Sequence, residues 1–260
     1  MKIKTILYTI LLLVILIIAG FCYFHFYNKK MIYPQEVYAP ILAYHGIDDK
    51  KAVTSAYFLT QANFTSQMQW LKDNHYTVIS MDKLYNGLSG QGKLPPKPVV
   101  ITFDDGEQSN FIVAYPILKK FHYPATFFIT TSLTNQNPDY MTWAELKEMV
   151  ANGMIIGSHT VNHINIAKMR LERVEPELID SKKALETNLG IKVKYFSYPN
   201  GGYKNRDMEV KEAGYKIALT THQSVIQKIN SPDSLYALSR YEVFGNLPIT
   251  FDQIFNPTKN

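Results

Sequence analysis

The 260-residue chain is 46% hydrophobic and 13% aromatic, with 18 Tyr and 14 Phe, a composition that excludes a disordered chain and suits one packed domain of about 200–250 residues. Its formal charge of +5 is local: Lys2, Lys4, Lys29 and Lys30 precede the first acid, Glu36, and without them 23 basic residues face 22 acidic ones. A near-neutral domain lacks the electrostatic footprint of a nucleic-acid binder, and a single cysteine, Cys22, excludes both a disulfide framework and a cysteine-based metal site.

Residues 5–27 contain no Lys, Arg, Asp or Glu, and residues 6–18 are almost wholly aliphatic. About 20 such residues, as a helix, span the ~30 Å hydrocarbon core of a bilayer. Phe21, Tyr23, Phe24, Phe26 and Tyr27 then suit the membrane interface. A cleaved signal would be followed by small residues, whereas bulky aromatics follow here, and Phe21 stands where a lipoprotein signal needs a small residue. Residues 1–30 are therefore expected to form an uncleaved single-pass membrane anchor, residues 31–37 a linker and residues 38–260 the functional domain.

Beyond the anchor, apolar runs at residues 41–44, 76–79, 99–103, 125–129, 154–157, 195–198 and 215–219 read as strands. Helical patterns separate them. Phe64, Met68 and Leu71 share one helix face, Thr142 and Glu145 make a capping box with Gly153 as a stop, and Leu178, Leu185 and Leu189 continue a helix ending at Gly190. Strands alternating with helices predict an α/β fold, a distorted (β/α) barrel of about seven strands, in which functional groups gather at the strand carboxyl ends.

Two of those ends carry chemistry. Thr102-Phe103-Asp104-Asp105-Gly106 presents two adjacent carboxylates, and His159 and His163 follow a later strand. One carboxylate and two imidazoles make a ligand set for zinc with an open position, and the other carboxylate is then available as a general base. An Asp-Asp-Gly is more often a polar turn, and an i, i+4 histidine pair more often a helix cap or surface feature. Their coincidence at strand ends of one sheet favours metal-assisted hydrolysis. Two more segments belong to the same rim: residues 196–203, a Pro/Gly-rich loop able to aim backbone N–H groups at a ligand, and His45 at the end of the first strand. His75, His122 and His222 have no partner pattern and read as structural.

On these motifs the chain resembles the polysaccharide deacetylase family, the NodB-homology domain of carbohydrate esterase family 4, over about residues 38–245. The resemblance implies that Asp104 is the catalytic base and that Asp105, His159 and His163 hold a divalent metal, zinc foremost, with cobalt or nickel accepted by the same donors. Pro199-Asn200-Gly201 is similar to the third family motif, which lines the substrate groove. Tyr198, Pro199, Asn200, Gly201 and Arg240 are expected to face substrate there, and Tyr198, Tyr203 and Trp143 are candidate sugar-stacking rings.

Three family features are missing. Ser197 stands where an Arg usually orients the base, Leu238-Ser239-Arg240 stands in place of the late Leu-x-His that supplies the acid, and the Asp-Trp motif supporting that histidine is absent. Arg240 is expected to supply the cation near Asp104, and His45 the acid. Together with the anchor and Tyr44-His45, the chain resembles the subgroup that deacetylates poly-N-acetylglucosamine. The expected function is removal of N-acetyl groups from an extracellular polysaccharide, either that polymer or peptidoglycan, by a domain facing outward from the cell membrane. The alternatives are an O-acetyl esterase of a wall glycan and a non-catalytic glycan-binding module.

Overall fold

The computed structural model describes residues 13–16, 35–245 and 251–255. By internal contacts the chain divides into Met1–Tyr33 and Pro34–Asn260, and the second unit carries the fold. Most of the expected membrane anchor lies outside the described residues, among which no helix is long and apolar enough to cross a membrane.

Seven strands build one curled parallel sheet. They are β1 (Ile41–Tyr44), β2 (Pro98–Phe103), β3 (Thr126–Ile129), β4 (Ile155–Ser158), β5 (Tyr195–Ser197), β6 (Ile217–Leu219) and β7 (Tyr241–Glu242), hydrogen-bonded in the order β6-β5-β4-β3-β2-β1-β7. Thr77–Val78 adds a short pairing at the start of β2. The continuous apolar runs reflect burial on both faces: every residue of β1, β2 and β3 is buried, as expected of parallel strands covered by helices.

The sheet edges meet through a segment without a strand-like sequence signal. Leu238 donates its N–H to Ala218 at 3.0 Å and accepts from Thr220 at 2.9 Å, which ties it to β6. Three residues later Tyr241 and Glu242 pair with Leu42 and Ala43 of β1. Residues 238–242 thus join both edges, and Arg240 is carried at their centre. Outside the barrel, Gln35–Tyr38, which begins within the stretch expected as linker, pairs antiparallel with Ile226–Ile229.

The helices follow their local signals. Gln61–Asp73 begins at Thr60, whose hydroxyl accepts from the Asn63 N–H, and it buries Phe64, Met68 and Leu71. Trp143–Ala151 carries the Thr142/Glu145 capping box, and Gly153 follows it at φ 85°. Leu171–Leu189 ends on Gly190 at φ 69°, a left-handed turn that glycine adopts without a Cβ penalty. His75 and His122 occupy left-handed positions just past two helices, φ 59° and 57°, so both are chain-turning residues.

Side chains alternate across the strands. Tyr44, Phe103 and Phe127 point to the helix layer, where Phe103 and Phe127 stack at 4.7 Å and Tyr44 stacks on Phe103 at 5.4 Å. Thr102 and Asp104 take the other face of β2, toward the barrel interior and Arg240.

Candidate active site

Asp104 follows β2, its N–H held by the Tyr44 carbonyl at 2.9 Å. The residue is 2% exposed and meets Arg240, which is fully buried. The guanidinium binds it with both arms, Nη1 to Oδ1 at 2.8 Å and Nη2 to Oδ2 at 2.6 Å. The Ser197 hydroxyl donates to Oδ2 at 3.1 Å and accepts from Nη2 at 2.8 Å. Arg240 Nε is occupied by the Thr220 carbonyl at 3.0 Å. Burial alone would raise the Asp104 pKa, but the charge and hydrogen bonds of Arg240 more than offset it, and the net shift is downward. Asp104 is therefore a carboxylate fixed in orientation and kept ionised. Where the resemblance expects an orienting Arg the chain has Ser197, and Arg240, just before β7, reaches the same carboxylate.

Asp105, next in the chain, turns away at φ 72°, a left-handed conformation that Asp tolerates better than most residues. Gly106 follows at φ 88°, where a Cβ would press on Ile129 at 3.2 Å. The turn sends the two adjacent carboxylates to different tasks. Asp105 Oδ1 lies 3.4 Å from His159 Nε2 and 3.1 Å from His163 Nε2, and it is buried without a hydrogen bond of satisfactory geometry. His159 Nδ1 lies 2.8 Å from the Ser197 carbonyl. Only a ring N–H can serve a carbonyl there, so the Nε2 lone pair faces Asp105. Three ligand atoms, one from each residue, lie within 4.8 Å of one another. An orphaned carboxylate oxygen and a tautomer-fixed imidazole are what a divalent cation needs, and Asp105, His159 and His163 fit one.

The turn between the histidines is set by a residue that the sequence analysis did not single out. Glu177, on the Leu171–Leu189 helix, accepts from the N–H groups of Val161 and Asn162 at 2.9 and 3.0 Å and from Asn162 Nδ2 at 2.7 Å. Its sequence signal is an acid within the apolar stripe of Val174, Leu178 and Leu185. Glu177→Ala is expected to weaken metal affinity by ~10–100-fold, the scale of a lost outer-shell partner, with the ligands intact; calorimetric titration with Zn2+ checks it.

These groups open into a cavity of about 280 Å³, lined by His45, Tyr57, Asp104, Asp105, His159, His163, Asn200 and Glu242 among others. His45 and Asn200 stand where the sequence placed them. Six other expectations are corrected by burial or position. Arg240 is near Asp104 as expected, but its full burial makes it a support of that carboxylate rather than a groove residue. Tyr198 is fully buried, its hydroxyl donating to the Tyr236 carbonyl at 2.9 Å, so it stacks on no ligand. Pro199 is buried, and Gly201 is turned toward Thr221. Neither lines the cavity, nor do Trp143, which packs on the core, and Tyr203, whose ring lies 6.0 Å from that of Tyr198.

Comparison with known proteins agrees with this geometry. The family model for polysaccharide deacetylases matches residues 91–218. A Bacillus subtilis (strain 168) protein with a provisional polysaccharide deacetylase name is 32% identical over 206 residues, covering 78% of this chain and 71% of that one. A Staphylococcus aureus (strain MRSA252) poly-beta-1,6-N-acetyl-D-glucosamine N-deacetylase is 30% identical over 184 residues, 65% of this chain and 63% of the relative. Among solved structures, a Streptococcus pyogenes deacetylase in complex with acetate superposes with a TM-score of 0.74 at 30% identity, covering 82% of this chain and 94% of that one. On the family-model match, the 32% identical relative and the shared fold, the chain belongs to the polysaccharide deacetylase family of hydrolases.

Proposed function

We propose that the protein is a metal-dependent N-deacetylase acting on N-acetylglucosamine units of an extracellular polysaccharide, biofilm poly-N-acetylglucosamine or peptidoglycan. One observation carries this reading: a carboxylate kept ionised by Arg240 shares a cavity with the convergent ligand atoms of Asp105, His159 and His163. The named activity of the staphylococcal relative supports the glucosamine polymer.

A divalent cation on the three ligands, zinc foremost with cobalt or nickel also suited, supplies Lewis acidity toward water and the acetyl carbonyl. Asp104 takes the proton of the attacking water. Arg240 and Ser197 fill Oδ2, whereas Oδ1 accepts from Arg240 alone and keeps lone-pair capacity for that proton. The backbone of Asn200, held left-handed at φ 55° on the cavity wall, is the proposed support of the developing oxyanion. The sugar amine leaves poorly unless protonated, and His45, which lines the cavity, is the proposed donor of that proton. Burial lowers the His45 pKa, partly offset by the charges of Asp104 and Asp105, so the resting imidazole is neutral and acts as a relay.

The test offers the purified protein both polymers and quantifies acetate and free amine. Equimolar acetate and amine are expected. Acetate without amine would mean an O-acetyl esterase, and binding without acetate a glycan-binding module. Within that assay His45→Ala should slow amide cleavage by ~100-fold or more and lower the ratio of amide to aryl-ester hydrolysis by a similar factor, since an activated ester needs no proton on its leaving group. Equal losses on both substrates would remove His45 from the relay.

The same reading places the domain outside the cell on an anchor formed by residues 1–30. Intact-mass measurement of membrane-extracted protein should find those residues still attached; a mature chain starting near residue 28 would replace the anchor by a cleaved signal.

A further inference from the structure

One wall of the cavity is explained neither by the base nor by the ligand set. It is formed where the ends of β1 and β7 meet the segment preceding Phe58–Leu59. Tyr57 lies on this wall, lining the cavity with 50% of its surface exposed. A ring that open would ordinarily be mobile, yet this one is braced. It meets the His45 ring edge-on at 4.8 Å and 68°, and the Phe244 ring at 5.3 Å and 75°.

The backbone is tied as well. The Tyr57 N–H donates to Ser55 Oγ at 3.4 Å and its carbonyl accepts from Gly46 at 3.3 Å. From the β7 side, the Gly245 N–H binds the Ala56 carbonyl at 2.8 Å. The next residues, Phe58 and Leu59, pair with Gly46 and Ile47, and a Cβ at position 46 would collide with the Phe58 ring. Glycine there is what lets the segment close onto the barrel rim.

Glu242 belongs to the same wall. It lines the cavity two residues after Arg240 on β7, hence on the same side of the strand. Its register partner is Ala43, two residues before His45. Its carboxyl group makes no hydrogen bond to any described residue. Burial, with the nearby Asp104 charge, raises its pKa against the pull of Arg240, and its oxygens are acceptors for ligand hydroxyls.

A rigid, half-open aromatic face beside an unpaired carboxyl group is the chemistry that recognises a pyranose: the ring takes the apolar C–H face, the carboxyl takes hydroxyls. We propose that Tyr57 and Glu242 form the saccharide subsite of the cavity, the sugar stacking on Tyr57 and hydrogen-bonding through its hydroxyls to Glu242. Only the identity of the sugar, N-acetylglucosamine, rests on the deacetylase reading. Bound in this way, the acetamido group is delivered to Asp104 and the ligand set by contacts that play no part in breaking the bond.

The test compares steady-state kinetics on β-1,6-linked tri-N-acetylglucosamine with those on an aryl acetate ester that carries no sugar. Tyr57→Ala should raise the saccharide KM roughly ten-fold with kcat changed by less than about three-fold, and Glu242→Ala should act in the same direction. Tyr57→Phe and Glu242→Gln, which keep the ring and an acceptor oxygen, should recover most of the loss. The ratio of saccharide to ester kcat/KM should therefore fall about ten-fold in the alanine variants only. Parallel losses on both substrates, or an unchanged saccharide KM, would overturn the subsite. If the wild-type protein releases no acetate from the trisaccharide, the deacetylase reading fails separately, and calorimetric binding of the same trisaccharide decides the subsite. Binding roughly ten-fold weaker in Tyr57→Ala supports it; equal binding, or none in the wild type, sinks it.

Discussion

Asp104→Asn is expected to bind the metal and to lose at least ~100-fold in the rate of acetate release, the usual scale of a missing general base. The prediction rests on the division of labour between neighbours. Asp104 faces Arg240 inside the barrel, while Asp105 faces the two imidazoles, so neutralising the first leaves all three ligand atoms in place. His163→Ala is the complementary variant. Its side chain is partly exposed at the cavity edge, so its removal should cost little stability but abolish tight metal binding and activity together. Metal content measured on the folded variants separates the two effects. Undiminished acetate release by Asp104→Asn would take the base away from this residue.

Arg240→Met is expected to be the most damaging single change for the fold. The side chain is fully buried and serves Asp104 with two arms, Ser197 with one and the Thr220 carbonyl through Nε. Breaking such a pair leaves a buried carboxylate without its counter-charge, at a cost of about 3–5 kcal/mol. For a domain of this size that is a fall in Tm of roughly 10 °C.

The pH dependence follows from the sign of the Asp104 shift. Its folded-state pKa is depressed, so the pair stabilises the protein above the ordinary carboxylate range, ~3.9, and that contribution is lost as pH falls through the depressed value. Without Arg240 the effect of burial prevails and the Asp104 pKa rises. The acid limb of the activity profile should then move to higher pH, and the stability advantage of neutral over acidic solution should shrink. Arg240→Lys keeps the charge but not the two-armed grip, and should fall between the two. A variant Tm and acid limb matching wild type would show that Asp104 is held ionised by something else.

The sequence by itself determined what depends on neighbours along the chain. Apolar runs marked six of the seven barrel strands because parallel strands are buried on both faces, and Thr60, Thr142, Glu145 and Gly190 marked helix ends because a cap bonds within its own turn. The ligand set was legible for a related reason. Asp104 and Asp105 follow one strand and His159 and His163 another, and parallel strands bring their carboxyl ends to one rim.

What the sequence left undecided is which polar groups meet across the barrel. Arg240 was expected near Asp104 only because the resemblance calls for a cation there; its contact lies 136 positions away in the chain, and only the joining of the sheet edges by residues 238–242 shows that it sits behind Asp104 and not in the groove. Tyr198 and Pro199 stand at a groove motif yet are buried, with the Tyr198 hydroxyl held by the Tyr236 carbonyl. Glu177, Tyr57 and Glu242 have no motif at all. Each acquires its place from a long-range contact, with the histidine turn, with His45 and Phe244, and with the strand register beside Ala43. Local pattern specifies elements and their ends because hydrogen bonding and burial within an element repeat with its period. A buried charge or an exposed ring takes its meaning from whichever partner the closed barrel sets against it, and that is a property of the tertiary structure alone.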